Sequence, residues 1–206
     1  MKKYITEFIG TFFLVLVIGL TGNPIAIGSI LMVMVYMGGH LSGAHYNPAV
    51  TLGLLIAKKI ETKDALMYMI FQIVGALVAA LTFYVLQGKT FAPAPATGVS
   101  AIAPVLVEIV FTFALASVVL NVAATAKTAG NSYFGLAIGF TVLAAAYAGG
   151  PISGGAYNPA VALGPIIVDT IMGGTSIANL WIYIVGPLVG AAIAAFVYGF
   201  INADEK

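Results

Sequence analysis

Six stretches of apolar residues run along the chain, each long enough to cross the hydrocarbon core of a bilayer as a helix. Strands of a membrane barrel would be about ten residues long and would alternate in polarity, which these stretches do not. The pattern therefore predicts six transmembrane helices, over Tyr4–Leu20, Pro24–Gly39, Ala65–Leu86, Pro104–Ala124, Tyr133–Gly149 and Ala178–Ile201.

Two shorter apolar segments interrupt this series, and they are copies of one another. Aligning Ser42–Gly53 with Ser153–Gly164 gives nine identities in twelve positions at an offset of 111. Each copy is apolar for only about ten residues after an Asn-Pro pair, which is too short to span. We therefore predict one domain, residues 1–206, made of two repeats over about 1–88 and 103–206. Each repeat has three spans, an odd number, so the second lies inverted in the membrane and places a site at the midplane.

The Asn-Pro pairs predict where two short helices begin. Asn caps a helix well, and Pro fits the first turn, so Asn47-Pro48 and Asn158-Pro159 each start a half-helix of roughly 15 Å. If the half-helices enter from opposite faces, their N-termini meet at the centre and their partial positive charges repel cations. Irregular backbone precedes each Asn and would line a water-filled pore with its carbonyl groups, at Gly43, Ala44 and His45 and at Gly154 and Ala156.

Composition narrows the class of protein. Apolar residues make up 61% of the 206 residues and charged residues only 7%, which excludes a soluble enzyme or nucleic-acid binder. Without cysteine the chain has no disulfide or thiolate metal site. With six crossings, both termini lie on the same side of the membrane. Seven of the eight lysines, all but Lys89, fall on that side as well. Because lysines are enriched on the cytoplasmic side, we predict a multi-pass cell-membrane protein with cytoplasmic termini. The seven are Lys2, Lys3, Lys58, Lys59, Lys63, Lys127 and Lys206.

The doubled motif resembles that of the aquaporins, or major intrinsic proteins. Their hallmark is two Asn-Pro-Ala motifs on facing half-helices, here Asn47-Pro48-Ala49 and Asn158-Pro159-Ala160, and the resemblance runs from Glu7 to Tyr198. It implies an all-α membrane protein, a right-handed bundle of six transmembrane helices and two re-entrant half-helices. It also implies a homotetramer with a pore in each subunit, in which Asn47 and Asn158 contact the permeant and block protons and cations.

Few other polar residues lie in the apolar segments. Glu7 and Glu108 occupy matching places in spans one and four, and a carboxylate there is either a proton relay or a support for the neighbouring loop. Their paired placement favours support, and the resemblance implies the same. His45 is either a pH-dependent gate or a loop anchor, and His40 is expected to be structural. We place Asp169 beyond the second half-helix, at the outer surface.

The chain departs from the family at the outer constriction. The second motif normally continues with Arg, whereas here Val161 follows and the chain contains no Arg. By their spacing from the two Asn residues, the other constriction positions are Ile27, Ala146 and Gly155, so the filter is expected to be apolar, uncharged and wide. Loss of polar donors raises the cost of desolvating water, whereas loss of bulk admits larger solutes.

The leading hypothesis is a passive channel for water or small uncharged solutes that excludes cations. Its permeant could instead be ammonia, carbon dioxide, hydrogen peroxide or glycerol. Ala162, where glycerol-conducting members usually carry Asp, counts mildly against a specialised glycerol facilitator. A proton-coupled transporter and a non-conducting structural member are weaker alternatives. No catalytic residue, cofactor, metal site or nucleic-acid partner is predicted, and the only partners expected are lipid, the permeant and further copies of the chain.

Overall fold

A computed structural model describes residues 1–203, and Lys206, expected at the cytoplasmic face, lies outside the described residues. The chain forms eight α-helices over this range. They are α1 (Lys2–Thr21), α2 (Pro24–Ser42), α3 (Pro48–Ile56), α4 (Thr62–Gln87), α5 (Ile102–Ala123), α6 (Phe134–Ser153), α7 (Pro159–Ile171) and α8 (Leu180–Ile201). Short 3₁₀ turns at Ala126–Thr128 and Ser176–Asn179 precede α6 and α8.

Six of these helices are long and apolar enough to cross a membrane within the described range, namely α1, α2, α4, α5, α6 and α8. The six predicted spans are thereby confirmed, with boundaries that differ by at most four residues. The largest difference is at the end of α6, which continues through Pro151 to Ser153. The extension brings the helix end directly to the second Asn-Pro segment.

The two short helices begin at the residues that the motif predicts. Asn47 and Asn158 are the N-caps of α3 and α7, and a proline occupies the first helical position of each. At 1.5 Å per residue, nine residues make α3 about 14 Å long and thirteen make α7 about 20 Å. Because α7 runs on to Ile171, Asp169 lies in its last turn rather than beyond it, which corrects the sequence-based placement.

Helix packing repeats between the two halves of the chain. The helix pair α1 and α4 is matched by α5 and α8, while α2 packs against α6 across the junction of the repeats. The half-helix α3 packs on α8 and α4, and α7 packs on α4 and α8, so each half-helix is held partly by the other repeat. Glycines allow these close approaches: a Cβ at Gly75 would lie 2.6 Å from the Phe8 carbonyl oxygen, and one at Gly186 would lie 2.6 Å from the Glu108 Cβ.

One end of the bundle gathers the N-terminus, the end of α8 and most of the lysines that the structure describes. There the Lys3 ammonium lies 2.5 Å from Asp64, which ties the start of α1 to the start of α4. The Asn202 side chain donates to Asn121 Oδ1 at 3.2 Å and so joins the ends of α8 and α5. Lys89 lies at the opposite end, directly after α4 and its C-cap Gly88. This lysine-rich end is called the terminal end below.

Candidate functional site

Two asparagine side chains cap the half-helices and face one another at the centre of the bundle. Asn47 Oδ1 accepts hydrogen bonds from the Ala49 and Val50 N–H groups at 2.8 and 3.4 Å. Asn158 Oδ1 accepts one from the Ala160 N–H at 2.9 Å. The carbonyl oxygen of each side chain is therefore used within its own helix, and the amide NH₂ group is left to point elsewhere.

Each amide group reaches the opposite repeat. Asn47 Nδ2 donates to the Tyr157 carbonyl oxygen at 2.9 Å, and Asn158 Nδ2 donates to the Tyr46 carbonyl oxygen at 2.9 Å. These reciprocal bonds fix the N-termini of α3 and α7 against each other. One amide hydrogen on each side chain remains for a molecule in the adjoining cavity, and two partially positive helix ends are directed at the same place.

The loop before α3 is held by the carboxylate of Glu7, which is fully buried. Glu7 Oε1 accepts from Ser42 Oγ at 2.7 Å and from the His45 N–H at 3.0 Å. Glu7 Oε2 accepts from the Tyr46 N–H at 2.7 Å and from Gln72 Nε2 at 2.8 Å. Four donors thus surround one buried carboxylate. Two of them are backbone N–H groups of the loop, which cannot find hydrogen-bond acceptors within a helix because the loop is not helical.

Glu108 holds the loop before α7 in nearly the same way. Its Oε1 accepts from Ser153 Oγ at 2.8 Å and from the Ala156 N–H at 3.0 Å, and its Oε2 accepts from the Tyr157 N–H at 2.6 Å. Gln72 is the donor that the second repeat does not match. At the position 111 residues later stands Tyr183, whose hydroxyl instead donates to the Ser153 carbonyl oxygen at 2.5 Å.

Tyrosines directly before the two Asn residues adopt left-handed backbone conformations, with φ of 51° at Tyr46 and 50° at Tyr157. Such angles are costly for a residue with a side chain, so other contacts must hold them. The Tyr46 hydroxyl donates to the Met34 carbonyl oxygen and the Tyr157 hydroxyl to the Ala145 carbonyl oxygen, both at 2.9 Å. The strained conformation turns each carbonyl toward the Asn of the other repeat.

A narrow cavity of about 30 Å³ lies beside the paired Asn side chains, which is enough for water to enter. Its polar wall comes from the two loops: Ala44, His45, Tyr46, Gly155, Ala156 and Tyr157. Its other wall is aliphatic and draws on four helices besides α3 and α7, with Val50 and Val161 from the half-helices. The residues from the four helices are Leu14, Ile18, Ile27, Leu31, Leu115, Val119, Ile138 and Val142. No Asp or Glu side chain lines it within the described residues.

Most of the sequence-predicted pore residues line this cavity. Ile27, Gly155 and Val161 do so, whereas Ala146 lies outside the lining of this central cavity and Val142, one turn earlier on α6, contributes to it. The assignment of an outer constriction to these four positions stays a prediction. Gly43 and Gly154 also lie outside the lining, because they are the left-handed C-caps of α2 and α6 that turn the chain into each loop.

His45 is buried, with 6% of its surface exposed, and joins the first loop to its half-helix. Its Nδ1 lies 3.1 Å from Thr51 Oγ1, which also accepts from Gln72 Nε2 at 3.0 Å. The ring lines both the central cavity and a wider pocket of about 430 Å³ toward the terminal end. It therefore sits where the two spaces approach each other, while His40 is exposed on α2.

The sequence reasoning missed three groups: the tyrosine carbonyls, Gln72 and most of the aliphatic wall. The tyrosines carried a readable signal, because each directly precedes Asn in both copies of the motif. Gln72 is a lone polar residue in the apolar run of α4, and such a residue must find a buried partner. The aliphatic wall carried no signal, because its residues are indistinguishable in sequence from those that face lipid.

Comparison with known proteins agrees with this geometry. The family model described as Major intrinsic protein matches residues 1–198. The chain is 39% identical to "Glycerol uptake facilitator protein-like 6" of Lactiplantibacillus plantarum, with all of both chains covered. It is 35% identical to "Probable aquaporin NIP-type" of Nicotiana alata, covering all of this chain and 80% of that one.

Among solved structures, the fold is similar to that of the aquaglyceroporin from Plasmodium falciparum, with a TM-score of 0.88 and 24% identity. The match covers 98% of this chain and 97% of the other. With the doubled Asn-Pro-Ala motif capping two facing half-helices, these matches show that the chain belongs to the major intrinsic protein family.

Proposed function

We propose that the protein is a passive membrane channel that conducts water or small uncharged solutes and excludes cations, with no catalytic activity. The observation that carries the proposal is the reciprocal pair of Asn–Tyr hydrogen bonds, which brings two helix N-termini to one cavity. Water and small neutral solutes pass such a site because it offers them hydrogen bonds without requiring a compensating charge.

Cation exclusion follows from the electrostatics of the cavity. Each helix N-terminus carries roughly half a positive charge, and two of them act at one point of low dielectric. Carboxylates that could offset this field, Glu7 and Glu108, are fully buried behind the loops and are occupied by loop donors. A cation that sheds its hydration here meets repulsion instead of a ligand, which supports exclusion even without the family's usual Arg.

Neutral permeants fit the two-sided wall. Hydrogen-bonding groups along the loop face replace part of the hydration that a solute loses, while the aliphatic face holds no group that would trap it. A relative is named a glycerol uptake facilitator and another an aquaporin, so glycerol and water are the first solutes to compare. Ammonia, carbon dioxide and hydrogen peroxide are alternatives that the apolar Val161 position supports.

Fluxes through proteoliposomes test the proposal directly. In stopped-flow light scattering with sucrose as osmolyte, we expect faster shrinkage than in empty liposomes. Val161→Arg should reduce the rate of glycerol entry at least about tenfold, because one well-placed polar or steric contact gives discrimination of that size. The same change should reduce water flux less. Val161→Leu adds bulk without charge and separates the two causes.

Two results would overturn the proposal. The first is the absence of excess water, glycerol, ammonia and carbon dioxide flux from protein that assembles normally, which would indicate a non-conducting member. The second is a Na⁺ current through the purified protein in planar bilayers, which would contradict cation exclusion.

The arrangement in the cell belongs to the same proposal. We expect a multi-pass protein of the cell membrane whose terminal end faces the cytoplasm, because the lysines gather there. We also expect a homotetramer in which each subunit keeps its own pore, since the Asn47–Asn158 site is complete within one chain. Cross-linking of the reconstituted protein and protease access to the N-terminus test these two points.

A further inference from the structure

A groove of about 690 Å³ opens at the terminal end, between the end of α3 and the last turns of α8. It is far larger than the central cavity and separate from it. Its lining combines cationic, aromatic and small residues: Ile56, Ala57, Lys58, Lys59, Ala195, Phe196, Tyr198, Gly199 and Asn202. This lining is called the α3–α8 groove below.

Two adjacent lysines supply the charge of the groove. Lys58 has a left-handed φ of 58°, which ends α3 and turns the following chain away. The Lys59 ammonium lies 5.5 Å from the centre of the Tyr198 ring. Both side chains are exposed, neither forms an ion pair with a described residue, and no described carboxylate lines the groove. Among residues 1–203, the groove thus holds two cationic side chains and no anionic one.

Apolar surface continues from the groove along α8. Phe196 and Phe200, one turn apart, are 70% and 84% exposed, although α8 is apolar enough to cross a membrane. Side chains with such exposure on a transmembrane helix of one chain are available to acyl chains. Because the groove lies at the end of this span, its lysines are at the level of the lipid headgroups.

We propose that the α3–α8 groove binds an anionic phospholipid. Lys58 and Lys59 contact the headgroup phosphate, and the acyl chains lie along Phe196 and Phe200. The groove combines positive charge and apolar surface at the membrane interface. This combination matches a ligand that is anionic at one end and aliphatic at the other. Lys59 also lines the wider pocket that leads to His45, so this lipid adjoins the mouth of the cavity.

Native mass spectrometry of the purified full chain in detergent measures the proposal without reference to flux. The protein is titrated with phosphatidylglycerol or with phosphatidylcholine of the same acyl chains. We expect the wild type to bind phosphatidylglycerol more tightly. Lys58→Gln/Lys59→Gln should weaken this binding by about fivefold for each lysine, or about 30-fold together, as expected for interfacial lysines near anionic lipid.

A matched control removes the same charge from the same end. Lys2→Gln/Lys63→Gln should leave phosphatidylglycerol binding within about twofold, because a purely diffuse attraction falls off with distance and is screened. Gly199→Leu fills the groove without changing charge: a Cβ at Gly199 meets no atom within 4 Å, so the fold should tolerate the change. We expect this variant to lose phosphatidylglycerol selectivity as well.

Four results would overturn the proposal. One is equal affinity of the wild type for the two lipids. Another is an equal loss in the groove variant and the matched control, which would show diffuse attraction only. The third is a change of oligomeric mass rather than of lipid number in Gly199→Leu, which would assign the groove to a second copy of the chain. Glycerol phosphate that competes at the same concentration as the lipid would likewise exclude a role for the acyl chains.

Discussion

Replacement of Glu7 by Gln tests how the re-entrant loop is held, because it keeps the shape of the side chain and removes its charge. The carboxylate accepts four hydrogen bonds, from Ser42, His45, Tyr46 and Gln72. A carboxamide can place its oxygen at the Oε1 position and keep the first two. Its NH₂ group then takes the Oε2 position, where it faces two other donors, the Tyr46 N–H and Gln72 Nε2.

The two conflicting donors differ in their freedom to respond. Gln72 can turn its amide and present Oε1, which has no partner in the structure, but it then loses the hydrogen bond from its Nε2 to Thr51 Oγ1. The Tyr46 N–H belongs to the backbone and cannot turn. One buried N–H is therefore left unsatisfied, at about 1–3 kcal/mol, and two charge-assisted bonds become neutral, at about 1 kcal/mol each. With the lost Gln72–Thr51 bond, at about 1 kcal/mol, the free energy of unfolding should fall by about 4–6 kcal/mol in total.

The second repeat supplies an internal comparison. In Glu108→Gln the carboxamide oxygen keeps the bonds from Ser153 and Ala156, and only the Tyr157 N–H loses its acceptor. Both variants lose one backbone acceptor, and Glu7→Gln also loses the Gln72–Thr51 bond, so Glu7→Gln should be the more destabilised of the two by about 1 kcal/mol. Glu61→Gln, at an exposed carboxylate without a cap bond, is the control and should change stability by less than about 0.5 kcal/mol.

Reversible unfolding in mixed micelles measures these differences, and water flux of the same preparations shows whether the loops still form the cavity. Should either glutamine variant fail to fold, Ser42→Ala and Ser153→Ala each remove a single bond to the carboxylate, worth about 1.5–3 kcal/mol. A loss below about 1 kcal/mol in both glutamine variants would refute the reasoning, since a buried N–H without an acceptor cannot cost so little. A proton relay would instead leave stability unchanged and alter the pH dependence of flux.

Two further predictions concern the support of the site and the outer end of α7. Gly10→Ala places a methyl group against the ring of Tyr46, so it should lower stability by about 1–3 kcal/mol and reduce water flux, whereas Gly22→Ala, with open space around it, should leave flux unchanged. Hydrogen bonds from Ser176 and Thr90 hold the pKa of Asp169 below its usual range. Because its pKa in the folded protein is depressed, the stabilisation exists above about pH 4 and disappears as pH falls further. Asp169→Asn should therefore lower the melting temperature at pH 7, and the difference from the wild type should shrink as pH falls below about 4; a difference that stays constant down to the lowest pH at which the protein folds would contradict the assignment.

Much of the fold was readable from the sequence because lipid imposes strict rules on the chain. Every backbone group of a span must be satisfied within its own helix, so length and hydropathy locate the spans to within a turn. The doubled motif was equally readable, since Asn47 and Asn158 combine a capping side chain with a proline at the next position. Both start helices as predicted.

Details of the site were less accessible. Spacing did not identify Val142, which lines the central cavity, because the side of α6 that faces the cavity depends on its rotation against α2; Ala146 as a constriction residue stays a prediction. The length of α7, thirteen residues where the sequence predicted about ten, likewise depends on packing against α4 and α8 and on the capping of its last turn by the following loop.

The sequence by itself determined the membrane class, the six spans, the inverted repeat and the two half-helix starts, because hydropathy and capping act over short distances along the chain. Only the tertiary structure decided that each Asn donates to the Tyr of the other repeat, more than a hundred residues away, and that Gln72 serves one carboxylate and not the other. The tertiary structure alone distinguishes the aliphatic residues that line the cavity from those that face lipid. The physical reason is that apolar burial has no direction, so helix rotation and register are settled when the whole bundle packs.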